Sequence, residues 1–177
     1  LAVFVAYNAT IWPAHIAAYV LGSLAILLVW LNEPNGRRVI LAILGIMWAW
    51  NGIGYHFLFF AEINPAALVF AGLFLLQGIL FAVVAVAPKD FRFHIGHDFR
   101  SLAGSAFIIY AMLIYPFLGI LAGHGLMAGP MFGVAPCPTT IFTIGFLILA
   151  RGKWIGWLSV IPLLWSLVGL PAALQLA

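Results

Sequence analysis

Apolar runs of about 20 residues recur along this sequence, and short polar segments separate them. Hydrophobic residues make up 66% of the chain and charged residues only 6%, whereas a soluble domain carries about 25% charged residues. The chain therefore has too few charges to cover a surface that faces water. Because a helix of about 20 apolar residues crosses the hydrocarbon core of a bilayer, we predict a single transmembrane domain over residues 1–177, with the lipid bilayer as its solvent.

Prolines and polar turns divide the runs into six predicted spans. The fifth is exceptional, because Thr139 to Ala150 supplies only 12 apolar residues, or about 18 Å of helix. The missing length has to begin near Pro130, in a stretch whose glycines and prolines oppose a regular helix. We therefore predict an all-α, polytopic transmembrane helix bundle with a broken fifth span. The spans are expected at about 13–31, 38–60, 65–87, 101–122, 130–150 and 154–174.

All seven Lys and Arg residues fall in three alternate connections, at 32–38, 88–100 and 151–153. Cytoplasmic loops of membrane proteins carry an excess of Lys and Arg. The pattern predicts a multi-pass protein of the cell inner membrane whose N-terminus lies outside and whose three basic connections are cytoplasmic. We expect the basic residues of the second connection to face anionic lipid headgroups.

Polar side chains without positive charge collect at the opposite, outer ends of the predicted spans. Broken backbone is tolerated at membrane depth only where protein or a water-filled cavity satisfies it, and transporters build substrate sites from such breaks. We therefore predict a small outward-facing polar cavity beside the broken span. Its predicted lining is His56, Asn51, Glu62, Asn64, His124, Cys137, Thr139 and Thr140.

Several of these side chains are soft metal ligands, because thiolate, thioether and imidazole groups select copper-like ions. They do not lie at a local ligand spacing, so each keeps a structural alternative. A free cysteine is most often a small buried hydrophobe, and an imidazole often bonds a neighbouring helix. The candidate metal ligands are Cys137, His124, His56 and Met131.

Two local interpretations accompany this picture. The segment Pro136-Cys137-Pro138 is expected to be unwound, because prolines lack the backbone N–H that a helix interior needs. His15, at the outer end of the first span, is expected to lie at the membrane interface.

Three classes of function stay open. The first is a transporter or channel that passes or binds a small neutral or soft, metal-like solute in the cavity near Cys137. The second is an accessory subunit of a larger membrane complex, or a homo-oligomer, that contacts haem or pigment through His56 or His124. The third is a membrane enzyme that uses the Cys137 thiol, which is disfavoured because no base is locally paired with it. No known cofactor or nucleic-acid motif is present, so we assign no cofactor and expect no nucleic-acid partner.

Eight short segments, spread over nearly the whole chain, carry a resemblance. They are Tyr7-Asn8, Trp12-Pro13, Tyr55-His56, Ile63-Asn64-Pro65, Gly123-His124, Phe132-Gly133, Pro136-Cys137-Pro138-Thr139-Thr140 and Ile161-Pro162-Leu163-Leu164-Trp165. Together they resemble an uncharacterised family of small bacterial membrane proteins of unknown function, and the Pro-Cys-Pro-Thr-Thr segment is the most specific part. The resemblance implies no activity, but it implies a seventh span beyond Ala177.

Overall fold

The computed structural model describes residues 2–33, 35–86, 90–121, 125 and 128–176, and most of them are helical. This confirms the predicted helical class, with one small two-stranded sheet in addition. The elements are α1 (Ala2–Thr10), α2 (Ala14–Trp30), α3 (Gly36–Trp50), the π-helix π1 (Asn51–Phe60), α4 (Ala67–Val86), β1 (Arg92–Phe93), α5 (Phe99–Ile109), the π-helix π2 (Tyr110–Ile114), α6 (Tyr115–Leu121), α7 (Pro136–Leu149), β2 (Ala150–Arg151) and α8 (Ile155–Leu176).

Three continuous helical segments of the described chain are long and apolar enough to cross a membrane. They are Gly36–Phe60, Ala67–Val86 and Phe99–Leu121. The helices Val3–Thr10 and Ala14–Trp30 meet at a bend of 76° and count as a fourth if they form one span. α7 and the part of α8 up to Gly169 are apolar but shorter. The predicted count of six spans therefore stays a prediction.

α7 begins at Pro136, so the prediction of an unwound Pro-Cys-Pro segment is wrong. A proline in the first helical turn costs little, because the N–H groups of that turn have no partner inside the helix. The two prolines therefore start this helix instead of breaking it. The non-helical backbone lies before them, at residues 128–135.

Glycines bring two pairs of helices into close contact. A Cβ atom at Gly104 of α5 would lie 2.9 Å from the carbonyl oxygen of Gly145 in α7, and one at Gly145 would lie 2.8 Å from the oxygen of Gly104. α3 and α4 meet in the same way at Gly45 and Gly78, with 3.2 and 3.0 Å. Small residues at such contacts let helix backbones approach. The two contacts fix α7 against α5 and α4 against α3.

The three basic connections meet at one end of the bundle. β1 pairs antiparallel with β2, so that Arg92 lies opposite Arg151 and Phe93 opposite Ala150. Asn32, from the first connection, lines a cavity together with both arginines. The structure thus brings together the connections that the charge pattern placed on one side, and the side of the membrane that they face stays a prediction. Lys89 lies outside the described residues.

Arginines at this end of the bundle donate hydrogen bonds to carbonyl groups at the C-termini of helices. Arg37 donates to the carbonyl oxygen of Val84 at the end of α4, at 2.9 Å. Arg100 donates to the carbonyl oxygens of Ile148 and Ala150 at the end of α7, both at 3.2 Å. Positive charge stabilises a helix C-terminus because the last carbonyl groups carry partial negative charge.

Candidate functional site

The non-helical segment 128–135 packs closely against α2. The ring of Phe132 occupies the space where a Cβ of Gly22 would lie, at 2.7 Å. Gly133 has a φ of +75°, and a Cβ there would lie 2.7 Å from the Cβ of Ala18. Because side chains rarely adopt a positive φ and no space is left, glycine fits this position best. Residues 132–135 are buried as a result.

Side chains from other elements hold the carbonyl groups of this segment. The Tyr7 hydroxyl donates to the carbonyl oxygen of Val134 at 2.6 Å. The amide nitrogen of Asn8 donates to the oxygen of Gly129 at 2.9 Å, and that of Asn51 to the oxygen of Gly133 at 3.2 Å. Backbone polar groups away from water need such partners. We call the buried group Tyr7, Asn8, His15, Asn51 and Thr139 the closed network.

Asn51 and Thr139, both predicted as cavity residues, meet inside the closed network. The Asn51 amide nitrogen lies 3.2 Å from the Thr139 hydroxyl, which itself donates to the carbonyl oxygen of Ala135 at 2.7 Å. His15 belongs to the same network, because its Nε2 lies 3.2 Å from Oδ1 of Asn8. His15 is only 4% exposed, so its imidazole is packed within the protein, and its expected depth at the membrane interface stays a prediction.

A second polar group, which we call the open cluster, consists of His56, Tyr115, Cys137, Thr140 and Trp165. His56 and Trp165 lie edge to face with ring centroids 5.2 Å apart. The Cys137 thiol lies beside the Tyr115 hydroxyl and the Trp165 indole. Thr140 follows Cys137 by three residues in α7, so both lie on one face of that helix. The open cluster therefore combines side chains from four elements, π1, α6, α7 and α8.

The open cluster differs from the closed network in its unpartnered atoms. Nε2 of His56, Oγ1 of Thr140 and Nε1 of Trp165 are buried and have no hydrogen-bond partner among the described residues. The contact between the indole and Cys137 is thus close but not a well-formed hydrogen bond. A buried polar atom without a partner costs about 1–3 kcal/mol, and in native proteins it commonly marks a bound water, ion or ligand.

Asn51 has both bonded and unpartnered polar atoms. Its amide nitrogen is fully used in the closed network, whereas its Oδ1 is buried without a partner. Two other unpartnered atoms occur among the described residues, Nδ1 of His15 in the closed network and Oε1 of Gln77. Gln77 belongs to the contact between α4 and α8, where its nitrogen donates to the carbonyl oxygen of Leu158 at 2.9 Å.

A cavity of about 260 Å³ adjoins the open cluster. Tyr115 belongs to both, because it lines the cavity and its hydroxyl lies beside Cys137. Among the predicted site residues, the metal candidate Met131 is on the wall of this cavity. The full lining is Tyr115, Pro116, Leu118, Gly119, Gly129, Pro130 and Met131.

The other predicted site residues lie apart from both groups or outside the described chain. Glu62 and Asn64 are exposed on the turn between π1 and α4, where Oδ1 of Asn64 accepts a hydrogen bond from the backbone N–H of Ala66 at 3.0 Å. His124 lies outside the described residues. In the described part of the chain, no three His, Cys, Asp or Glu side chains are grouped to hold a metal ion. The soft-metal site stays a prediction.

Two members of the open cluster, Tyr115 and Trp165, are absent from the predicted lining. Tyr115 directly follows π2, and His56 lies within the ten-residue π1. π-helical turns are rare and recur at functional sites, because they widen the helix and redirect its side chains. A π-turn has no reliable sequence signal, so the pattern of residues could not reveal either position.

Comparison with known proteins places the chain in a family without assigning it an activity. The chain belongs to a family of unknown function, DUF6064, and the match covers residues 1–177. No curated protein and no solved structure matches the chain. A functional argument therefore has to start from the geometry of the two polar groups.

Proposed function

We propose that this protein is an integral membrane protein that binds a small neutral solute in the open cluster and passes it across the bilayer. The proposal rests on one observation. Tyr115 lines a cavity and its hydroxyl lies beside Cys137, which in turn lies beside Trp165. The buried polar atoms Nε2 of His56, Oγ1 of Thr140 and Nε1 of Trp165 have no partner among the described residues. A solute that enters through the cavity would supply the missing hydrogen bonds.

The chemistry of the unpartnered atoms defines the solute class. The Trp165 indole only donates hydrogen bonds, whereas the Thr140 hydroxyl and Nε2 of the His56 imidazole donate or accept them. The solute must therefore accept a hydrogen bond, and it can also donate one. No Asp, Glu, Lys or Arg belongs to the open cluster, so an ion would lose its hydration without compensation by an opposite charge. Pockets for drug-sized ligands measure about 300–1,000 Å³, and the smaller cavity of about 260 Å³ suits a small molecule such as glycerol or acetamide.

Solute permeation into proteoliposomes tests passage. We expect faster entry of glycerol or acetamide with the protein than in protein-free liposomes, measured by stopped-flow light scattering. Methyl methanethiosulfonate, which adds a methylthio group to Cys137, should slow this entry in the native protein and leave a Cys137→Ser variant unaffected. Cys137 is the single cysteine of the chain, so the reagent has one target. Entry at the protein-free rate would contradict passage.

Protection of Cys137 in detergent tests binding separately. Glycerol or acetamide should slow the reaction of Cys137 with the same reagent, and His56→Leu should remove this protection. Glu62→Gln, at an exposed position, serves as the matched control and should keep it. A thiol that reacts only after unfolding would show that the cavity does not reach the cluster. A visible absorbance band in the purified protein would instead favour the haem- or pigment-contacting subunit.

The membrane arrangement belongs to the same proposal. We place the protein in the inner membrane with six crossings, the three basic connections in the cytoplasm, and the cavity on the outer side. Support comes from the apolar segments and from the positive-inside pattern. In a Cys137→Ser background, a membrane-impermeant maleimide added to intact cells should label an Asn64→Cys variant and not a Lys153→Cys variant. The reverse result would invert the arrangement, and labelling of both would show that the two positions share one side.

A further inference from the structure

Arg92 stands out among the arginines at the basic end. Arg37 and Arg100 are used at helix C-termini. Arg151 also donates to the carbonyl oxygens of Ile148 and Ala150, and it forms an ion pair with Asp98 at 3.3 Å. Arg92 is exposed, and the described structure gives its guanidinium no hydrogen bond and no ion pair. Helix capping therefore explains Arg37, Arg100 and Arg151 but not Arg92. Arg38, at the start of α3, is likewise exposed without a described partner, but unlike Arg92 it lines neither of the two cavities at this end.

The position of Arg92 in the small sheet is unfavourable for the protein alone. Arg92 and Arg151 are direct partners across the antiparallel β1–β2 ladder, and like charges at such positions destabilise a sheet. The buried neighbours Phe93 and Ala150 fix this register, because a shift by one residue would exchange the buried and exposed sides. The two positive charges are thus held side by side by apolar packing.

A cavity of about 340 Å³ opens over this pair. His94 lies two residues after Arg92 and on the same exposed side of the strand, and Asn32 contributes an amide from the first connection. Arg92 also lines a neighbouring cavity of about 390 Å³, where Glu33 is the acidic side chain. The smaller cavity is lined by Asn32, Arg92, Phe93, His94 and Arg151, so it has cationic and hydrogen-bonding groups and no carboxylate.

We infer that this smaller cavity is a binding site for a phosphate group. Arginine binds phosphate oxygens in a forked geometry, and an anion between Arg92 and Arg151 would remove their repulsion. Two sources have this chemistry, the headgroup of an anionic lipid and a phosphate compound in the aqueous phase. The site is separate from the open cluster, so its test does not depend on the proposed function.

Thermal unfolding of the full chain in an uncharged detergent tests the site. Inorganic phosphate, at constant ionic strength, should raise the unfolding midpoint by several degrees if the source is aqueous. Phosphatidylglycerol should do so if the source is a lipid headgroup, and both should act if the site accepts phosphate from either. Arg92→Gln should remove the shift. Arg38→Gln, an equal loss of charge at an exposed position of the same end, should keep it.

Three outcomes would overturn the inference. The first is that neither probe shifts the unfolding midpoint of the native protein. The second is that Arg92→Gln keeps the full shift. The third is that Arg38→Gln loses as much of the shift as Arg92→Gln does. The last result would indicate general attraction of anions to a basic surface instead of a site. Because Arg92 is exposed and caps no helix, its variant should fold, and its midpoint without added phosphate should equal that of the native protein or exceed it.

Discussion

The closed network and the open cluster are built from the same kinds of side chain, yet they differ in what those side chains bond. In the closed network, Asn51 donates to three acceptors within the protein. In the open cluster, Nε2 of His56 is equally buried and bonds none among the described residues. Residue type and burial are therefore shared. Both groups also contain buried atoms without a described partner, among them Oδ1 of Asn51 and Nδ1 of His15 in the closed network, so hydrogen bonds to the non-helical backbone are what separates the two groups.

The difference has a structural reason. The closed network surrounds backbone that is not helical, so carbonyl groups that a helix would satisfy take side-chain donors instead. The open cluster lies among regular and π-helical turns, whose carbonyl groups are already used within the helices. Its side chains therefore find no free backbone carbonyl groups to donate to, and their polar atoms stay available to bind a ligand. The comparison predicts that substitutions in the closed network lower the free energy of unfolding strongly, and that substitutions in the open cluster change it little.

The largest effect should come from Gly133→Ala in the closed network. The substitution combines a positive φ with a Cβ only 2.7 Å from that of Ala18, and we expect a loss of about 3 kcal/mol in the free energy of unfolding. Unfolding by sodium dodecyl sulfate in mixed micelles measures it.

Gly125→Ala is the matched control, because Gly125 has a φ of +72° and a Cβ there would meet no atom of the described part of the chain within 4 Å. It should lose only the backbone part, about 1–2 kcal/mol. Equal losses in the two variants would mean that close packing against α2 contributes nothing.

Asn51→Ala should have the next largest effect. It leaves the carbonyl oxygen of Gly133 and the Thr139 hydroxyl without a donor, and we expect a loss of about 2 kcal/mol in the free energy of unfolding. Asn64→Ala removes the same side chain from an exposed turn and should change stability by no more than about 0.5 kcal/mol. If both variants lose the same amount in the micelle titration, the closed network is not a stabilising unit.

Charge placement and apolar runs are visible in the sequence, and they predicted the features that depend on them. The helical class follows from the runs, and the meeting of the connections around Asn32, Arg92 and Arg151 agrees with the charge pattern. The pairing of β1 with β2 was not predictable, because two-residue strands are too short to show a period.

The candidate site was predicted in part, because the depth of a residue in the bilayer does not define its direction around the helix. Glu62 and Asn64 share the depth expected for the cavity residues, yet they are exposed on a turn. His56, Cys137 and Thr140 belong to the open cluster, and their role as the lining of a cavity stays a prediction. Tyr115 and Trp165 were missed, since an aromatic residue in an apolar helix gives the same pattern whether it faces lipid or protein.

The face that each helix turns toward its neighbours is fixed by contacts that cannot be recognised from the composition of the sequence. The motif Gly119-xxx-Gly123 has the spacing of a helix contact, but among the described residues a Cβ at Gly119 would meet only the Cα of Gly129, at 3.9 Å, and Gly123 lies outside those residues. The close backbone contacts occur instead at isolated glycines, Gly104 with Gly145 and Gly45 with Gly78. Small residues are common in any apolar helix, so their spacing alone could not identify the pairs.

His56→Leu should sharpen the comparison by leaving stability almost unchanged. Replacement of a polar atom that has no partner removes a cost of burial, so the free energy of unfolding should stay equal or rise by up to about 1 kcal/mol. The same variant should lose the protection of Cys137 by solute. A loss of stability as large as that of Asn51→Ala in the same micelle titration would place His56 in the closed network.

Asp98 provides the smallest expected effect and separates hydrogen-bond closure from burial. The Ser101 hydroxyl, and next its backbone N–H, donate to this exposed carboxylate at the start of α5 and lower its pKa. A lowered pKa in the folded state means that the stabilisation is complete above the unfolded value of about 3.8 and is lost as the pH falls through the folded value.

The unfolding midpoints of the native protein and Asp98→Ala should therefore differ slightly at neutral pH and converge in strong acid. A difference for Asp98→Ala that persists unchanged in strong acid would mean that the ionised carboxylate is not the stabilising form, and closure by hydrogen bonds would then be worth nothing outside the buried network.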